Sequence, residues 1–290
     1  MTRPTSGLTS VRLDEKTISA CALTSWRDRI HLSWVGTDTK LNLMSSPDGR
    51  RFAAPHRLPD RTYSYDTSSS DDSFANMVYT APALVGTPER LYLAWTGEKA
   101  GLTLLVADGR TFSGPVVLDH RSRETPAVSV SGRGAPVLAW LGKRQRVSML
   151  ALDEHRPAAP TEFARARSAV GPAVCTHRGA LVLAWTGTDR RVNLLTVHEQ
   201  GPGTHVRLDE ARTICAPAVC SHRGGVLLAW TGTDRRVNLL TVAENRVTAP
   251  LRLDEARTGY APAVCGHRGR LVLAWVGTDL RLNVADVPVD

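Results

Sequence analysis

The chain has 290 residues, 42% of them apolar and 22% charged, with 36 Lys and Arg against 28 Asp and Glu for a net charge of +8. This balance fits a globular chain with a real core and excludes a disordered or collagen-like one. No apolar run reaches the roughly 18 residues that a membrane-spanning helix needs.

The chain opens with MTRPTSGLTSVRLDE, which contains no apolar secretory core, so a cytoplasmic location is expected. Six segments then align on a tryptophan, at Trp34, Trp95, Trp140, Trp185, Trp230 and Trp275. The last five are spaced by 45 residues; the first gap is 61, leaving about 16 extra residues. A fixed period of this size marks a repeat architecture. Each repeat carries four short strand signals bounded by turn residues, as in PAVCTH, LVLAWTG, RVNLLTV and HVRLDE. Four antiparallel strands per repeat predict a propeller blade, and no helical periodicity of useful length competes. The opening SVRLDE matches a fourth strand, whereas the closing RLNVADVPVD matches a third. The expectation is therefore an all-β, six-bladed β-propeller spanning 1–290 as one domain. Its last blade is completed by the N-terminal strand, which removes an exposed edge.

Chain direction then sorts the turns. The second-to-third-strand hairpins (GTDRR), the fourth-to-first-strand connections (LDEART) and the insertion at about 61–78 share one face. The HRG turns lie on the other. The hairpin aspartates Asp38, Asp189, Asp234 and Asp279 suit backbone capping in a tight turn, and Asn42, Asn193, Asn238 and Asn283 suit bonding to the same hairpins. Repeats two and three depart from this pattern, with Glu98 in place of the hairpin Asp and Lys143-Arg144 in place of Thr-Asp.

The five cysteines, Cys21, Cys175, Cys215, Cys220 and Cys265, are too few for a disulfide framework and read as free thiols in a reducing compartment. Cys175, Cys220 and Cys265 recur at one repeat position beside His177, His222 and His267. Since each pair belongs to a different blade, packed thiols and turn histidines are expected, with no metal site.

Candidate ligand-binding residues gather toward the insertion face: Tyr63 and Tyr65 in the insertion, Trp95 and Trp140 as stacking platforms, and Arg190, Arg212, Arg235 and Arg257 as guanidinium forks for oxyanions. The insertion also supplies Asp66, Asp71 and Asp72, each able to serve as an acid or base. DTSSSDD does not have EF-hand spacing, and no nucleotide, metalloprotease or hydrolase-elbow motif is present, so no cofactor is expected.

At SSPDGRRF, with Ser46, Asp48, Gly49 and Phe52, the chain resembles the Asp-box of sialidase-like propellers, and ADGRTF at Asp108, Gly109 and Phe112 is a weaker copy. The resemblance implies fold, because Asp-boxes sit in the turn between strands three and four and act structurally. The Arg-Ile-Pro string of sialidases is absent, and no catalytic residue is carried over. In size and composition the repeat also resembles six-bladed sugar-binding lectin propellers.

Two functions follow. One is a ligand-binding propeller for glycans or other polar or anionic small molecules on the insertion face. The alternative is an enzyme of glycoside hydrolase, lyase or cyclase type, with a single pocket under the insertion. A protein partner fits a propeller too. No basic run with interleaved aromatics points to nucleic acid, and nothing points to a membrane.

Overall fold

The computed structural model describes residues 8–66, 77–153, 156–157, 159–243 and 246–288. After β1 (Ser10–Lys16), blade 1 comprises β2 (Ala22–Trp26), β3 (Arg29–Val35), β4 (Lys40–Ser46) and β5 (His56–Arg61). The insertion contributes a small antiparallel pair, β6 (Ser64–Asp66) and β7 (Met77–Tyr79). Blade 2 is β8 (Ala83–Gly86), β9 (Leu91–Thr96), β10 (Gly101–Ala107) and β11 (Val116–Arg121). Blade 3 runs β12 (Ala127–Val130), β13 (Pro136–Leu141) and β14 (Arg146–Asp153), with its outer edge divided into β15 (Arg156–Pro157) and β16 (Thr161–Arg167). Blade 4 is β17 (Ala173–His177), β18 (Ala180–Thr186), β19 (Arg191–His198) and β20 (Gly201–Arg212). Blade 5 is β21 (Ala218–His222), β22 (Gly225–Thr231), β23 (Arg236–Ala243), β24 (Arg246–Val247) and β25 (Leu251–Arg257). Blade 6 is β26 (Ala263–His267), β27 (Arg270–Val276) and β28 (Arg281–Val287).

β1 completes blade 6. It pairs antiparallel with β28, with Val11 opposite Val284 and Arg12 opposite Asn283, so the sheet order is β1-β28-β27-β26. The six-bladed ring is closed as the strand count requires, with β1 covering the edge of β28.

Turn chemistry sets each blade's register. In the HRG hairpin of blade 4, Arg178 and Gly179 both have positive φ (49° and 80°), the type I′ geometry that matches strand twist. The second hairpin is closed by Gly187 N–H donating to Arg191 O at 2.8 Å, and Arg190 takes φ 65° at its tip.

The core is built between blades. Each tryptophan of the second strand is turned toward the preceding blade: Trp185 packs with Val137, Ala139 and Phe163 of blade 3, and Trp230 with Val182, Ala184 and Leu208 of blade 4. All six are buried, none more than 4% exposed. Truncating any one to Ala costs about 3–5 kcal/mol.

Candidate functional site

Backbone bonds fix which turns share a face. Thr213 N–H donates to Arg190 O at 2.9 Å and Thr258 N–H to Arg235 O at 2.8 Å, joining each fourth-to-first-strand connection to the hairpin tip of its own blade. Tyr63 N–H donates to Thr96 O at 2.7 Å, so the insertion rises from this same face.

On it, the hairpin aspartates of four blades cap their own turns. Asp38, Asp189, Asp234 and Asp279 accept from the backbone N–H two residues on, at 3.0–3.2 Å. In blades 4 and 5 they also enter ion-pair quartets, Asp189 and Asp209 with Arg191 and Arg207, then Asp234 and Asp254 with Arg236 and Arg252. Partial burial pushes the Asp189 and Asp234 carboxyls up, but these bonds and charges outweigh it and hold both below the ordinary value. Each third-strand Asn donates to the hairpin carbonyl two residues before it, as Asn193 does to Arg191 O at 3.0 Å. Arg190, Arg212, Arg235 and Arg257 lie outside these quartets, exposed and without a side-chain partner among the described residues.

The Asp-box turn is structural here. Asp48 accepts from the N–H groups of Arg50 (2.9 Å) and Arg51 (3.2 Å), which hold its carboxyl down at about 2. Gly49 takes φ +78°, and a side chain there would meet Ile30 Cδ1 at 3.1 Å. Asp108 repeats the cap with Arg110 and Thr111, both at 2.8 Å.

The drifted hairpins of blades 2 and 3 need a correction of register. Gly97 N–H donates to Gly101 O just as Gly36 N–H does to Lys40 O. The residue aligned with Asp38 is therefore Lys99, and Glu98 falls at the place of Thr37. In blade 3 the same position holds Arg144. Both adopt positive φ, 58° and 57°. Around these tips lies a groove of about 760 Å³, bordered by Tyr63, Lys99, Arg121, Arg123, Lys143 and Arg144.

A second concavity, about 420 Å³, lies on the side wall between blades 3 and 4. Glu162, Phe163 and Arg165 of β16 form one wall; Trp185, Leu195 and His205 of blade 4 form the other. His205 is exposed, yet its ring lies flat on Trp185 with centroids 5.4 Å apart and planes 11° from parallel. Its Nε2 bonds Asn193 Oδ1 at 3.1 Å. On the blade 3 wall, Glu162 accepts from Arg146 of the neighbouring strand β14 at 2.6 Å.

The central channel, about 330 Å³, is lined by three residues from each inner strand, including Cys175, Cys220 and Cys265. These thiols are buried, and burial pushes them up, Cys220 to about 12. Such thiols are poor nucleophiles. Among the described residues no three His, Cys, Asp or Glu side chains are placed to hold a metal ion, and no helix is long and apolar enough to cross a membrane.

The sequence-derived ligand set is therefore split. Trp95 and Trp140 are 1% and 4% exposed and offer no open ring face; Trp140 is covered by His120, stacked at 5.0 Å. Tyr63 borders the basic groove. Tyr65 and Asp66 lie in β6, their side chains outside the described residues, as are Asp71 and Asp72 altogether. Sequence reasoning missed His205, Glu162 and Arg165. A signal existed: at the position of His205 the other repeats carry Pro55, Pro115, Pro160, Pro250 and Ser10.

The chain matches no protein-family model and no curated protein sequence. Among solved structures it is similar to the six-bladed Aleuria aurantia lectin with a described fucose recognition mode, at 9% identity and TM-score 0.67, covering 95% of this chain and 93% of that one. It is similar to AofleA from Arthrobotrys oligospora at 7% identity and TM-score 0.67, covering 98% and 90%. It is also similar to the Trypanosoma rangeli sialidase at 12% identity and TM-score 0.62, covering 96% of this chain but 59% of that one. These likenesses establish the six-bladed propeller fold, shared with lectins and with a sialidase.

Proposed function

We propose that the protein is a carbohydrate-binding propeller that takes a sugar unit in the cleft between blades 3 and 4. The observation that carries this reading is the exposed His205 ring, held flat by Trp185 and Asn193 beside a preset carboxylate. A pyranose presents one apolar C–H face and a rim of hydroxyls. The His205 ring offers a flat surface to the first. Glu162 accepts from hydroxyls, and Arg165 donates to them. The cleft has the size and the few convergent polar groups of a small-ligand site. The lectins of the same fold, with their fucose-bound forms, support a saccharide as ligand. This reading seats the sugar on the side wall rather than on the insertion face, because the exposed His205 ring lines the side-wall cleft.

A glycan array, followed by calorimetry with the strongest neutral saccharide, tests the reading. His205→Ala should weaken binding about 10-fold, the loss of one aromatic contact, and lower the melting temperature by only about 2–4 °C, the loss of one stack and one hydrogen bond. Unchanged affinity in the variant would remove the cleft, and an array with no neutral glycan bound would remove the function.

A further inference from the structure

The hairpin tips of blades 2 and 3 carry a reversal of charge that the other four blades lack. Where those blades place Asp38, Asp189, Asp234 and Asp279, these two place Lys99 and Arg144, with Lys143 beside the latter. The end of β11 adds Arg121, and the connection after it adds Arg123. All five cations are exposed and border one groove of about 760 Å³. None of the five forms an ion pair or side-chain hydrogen bond with a described residue. The contrast lies within the same molecule. In blades 4 and 5 each Arg that follows the hairpin tip is neutralised by two aspartates, Arg191 by Asp189 and Asp209, Arg236 by Asp234 and Asp254. Among the described residues the lining of the groove includes one carboxylate, Glu124, which is half-buried and already engaged.

We propose that this groove is a second binding site, for an acidic saccharide bearing sulfate or carboxylate groups. Five like charges around one concavity raise the local positive potential, and an entering anion relieves it. Three of them are guanidinium groups, whose planar forks match carboxylate and sulfate oxygens two at a time. Arg190, Arg212, Arg235 and Arg257 extend unpaired positive charge over the same face on blades 4 and 5, which suits a chain longer than one unit. Among the described residues Tyr63 is the only ring in the lining, where a single-stranded nucleic-acid groove presents successive stacking surfaces. The choice of a saccharide rests on the carbohydrate reading above; the capture of oxyanions does not, because the groove and the side cleft share no lining residue.

The test uses calorimetry of the full chain with four probes: a heparin-derived sulfated hexasaccharide, an oligogalacturonate hexasaccharide, maltohexaose and a six-nucleotide oligo-dT. The two acidic saccharides should bind, one of them the more tightly, and which one assigns sulfate or carboxylate. Replacing Arg121, Arg123 and Arg144 together by Ala should weaken that binding about 30-fold, from three exposed charge contacts. Arg144→Asp, which restores the residue of the other blades, should weaken it at least 5-fold with the fold intact. His205→Ala should leave it unchanged. Equal affinity in the triple variant, or oligo-dT binding as tightly as the better acidic hexasaccharide, would overturn the site. An equal loss in His205→Ala would move the anion to the side cleft and also overturn it. Loss of neutral-glycan binding on the array with acidic binding retained would sink the cleft reading alone.

Discussion

His267 of blade 6 and Ser25 of blade 1 are joined by a 2.8 Å bond between Nδ1 and Oγ, and His177 and Ser221 repeat the bond at 2.9 Å between blades 4 and 5. On the HRG face these links tie one inner strand to the next. The third copy is broken. His222 of blade 5 faces Gly266 of blade 6, and its Nε2 is buried without a partner. A Cβ at Gly266 would stand 3.6 Å from His222 Nδ1 and 3.5 Å from Ser221 O, ordinary contact distances, and the backbone there is not left-handed. Gly266→Ser should therefore restore the missing bond and remove a strand glycine. The expected gain is about 1 kcal/mol, read as a rise of roughly 2 °C in melting temperature. The double change Gly266→Ser with His222→Ala should lose the gain; if it keeps it, the bond is not the cause.

Blade count, closure and turn placement were legible because they depend on local chemistry. The Trp period, the Gly that closes each hairpin and the SVRLDE string at the start all act within one blade or its neighbour. The sites were harder for two reasons. The tryptophans look like platforms in sequence, yet the blade-to-blade packing that buries Trp95 is set by residues from the previous repeat, such as Leu41 and Leu43. In the blade 2 hairpin, Glu98 resembles Asp chemically and so draws the alignment one place off; only the Gly97–Gly101 bond shows that Lys99 holds that position. His205 was visible as the one departure from Pro or Ser at its repeat position, but its stacking on Trp185 required the register of β18 against β19 and β20.

Closure by β1 should rest on packing rather than on its ion pairs. Arg12 pairs with Asp279 and Arg281 with Asp14; Arg12 and Asp14 are largely exposed, and Arg281 is half-buried. Leu13, by contrast, packs against the core shared by blades 6 and 1. Arg12→Ala should cost under about 1 kcal/mol, whereas Leu13→Asp should cost about 2–4 kcal/mol by placing a charge against apolar side chains. Urea unfolding measures both. A larger loss from Arg12→Ala would make the ion pair the main clasp. Leu13→Asp should also expose the β28 edge, seen as concentration-dependent oligomers in light scattering.

Acid should destabilise the fold through His31. This side chain is 8% exposed in β3, with its ring against Trp26 at 5.3 Å and Nε2 buried without a partner. Burial, reinforced by the nearby Arg29, lowers its pKa from 6.5 to about 4 despite an opposing bond with the Trp26 backbone. Between those two values the unfolded chain takes up a proton that the folded chain refuses, so stability rises with pH across that window and is lost as pH falls from 6.5 toward 4. At 1.36 kcal/mol per unit, the loss is of order 3 kcal/mol at most. His177 and His222 are lowered too, by partial burial and then by Arg178 and Arg223, and add slope of the same sign. Asp48 acts lower: its capped carboxylate contributes above about 3.8, and that contribution disappears as pH falls toward 2. Melting curves from pH 7 to pH 4 should therefore slope less in His31→Leu than in the parent chain, with the two converging in shape below pH 4. Parallel slopes across the whole range would show that His31 is protonated in the folded state.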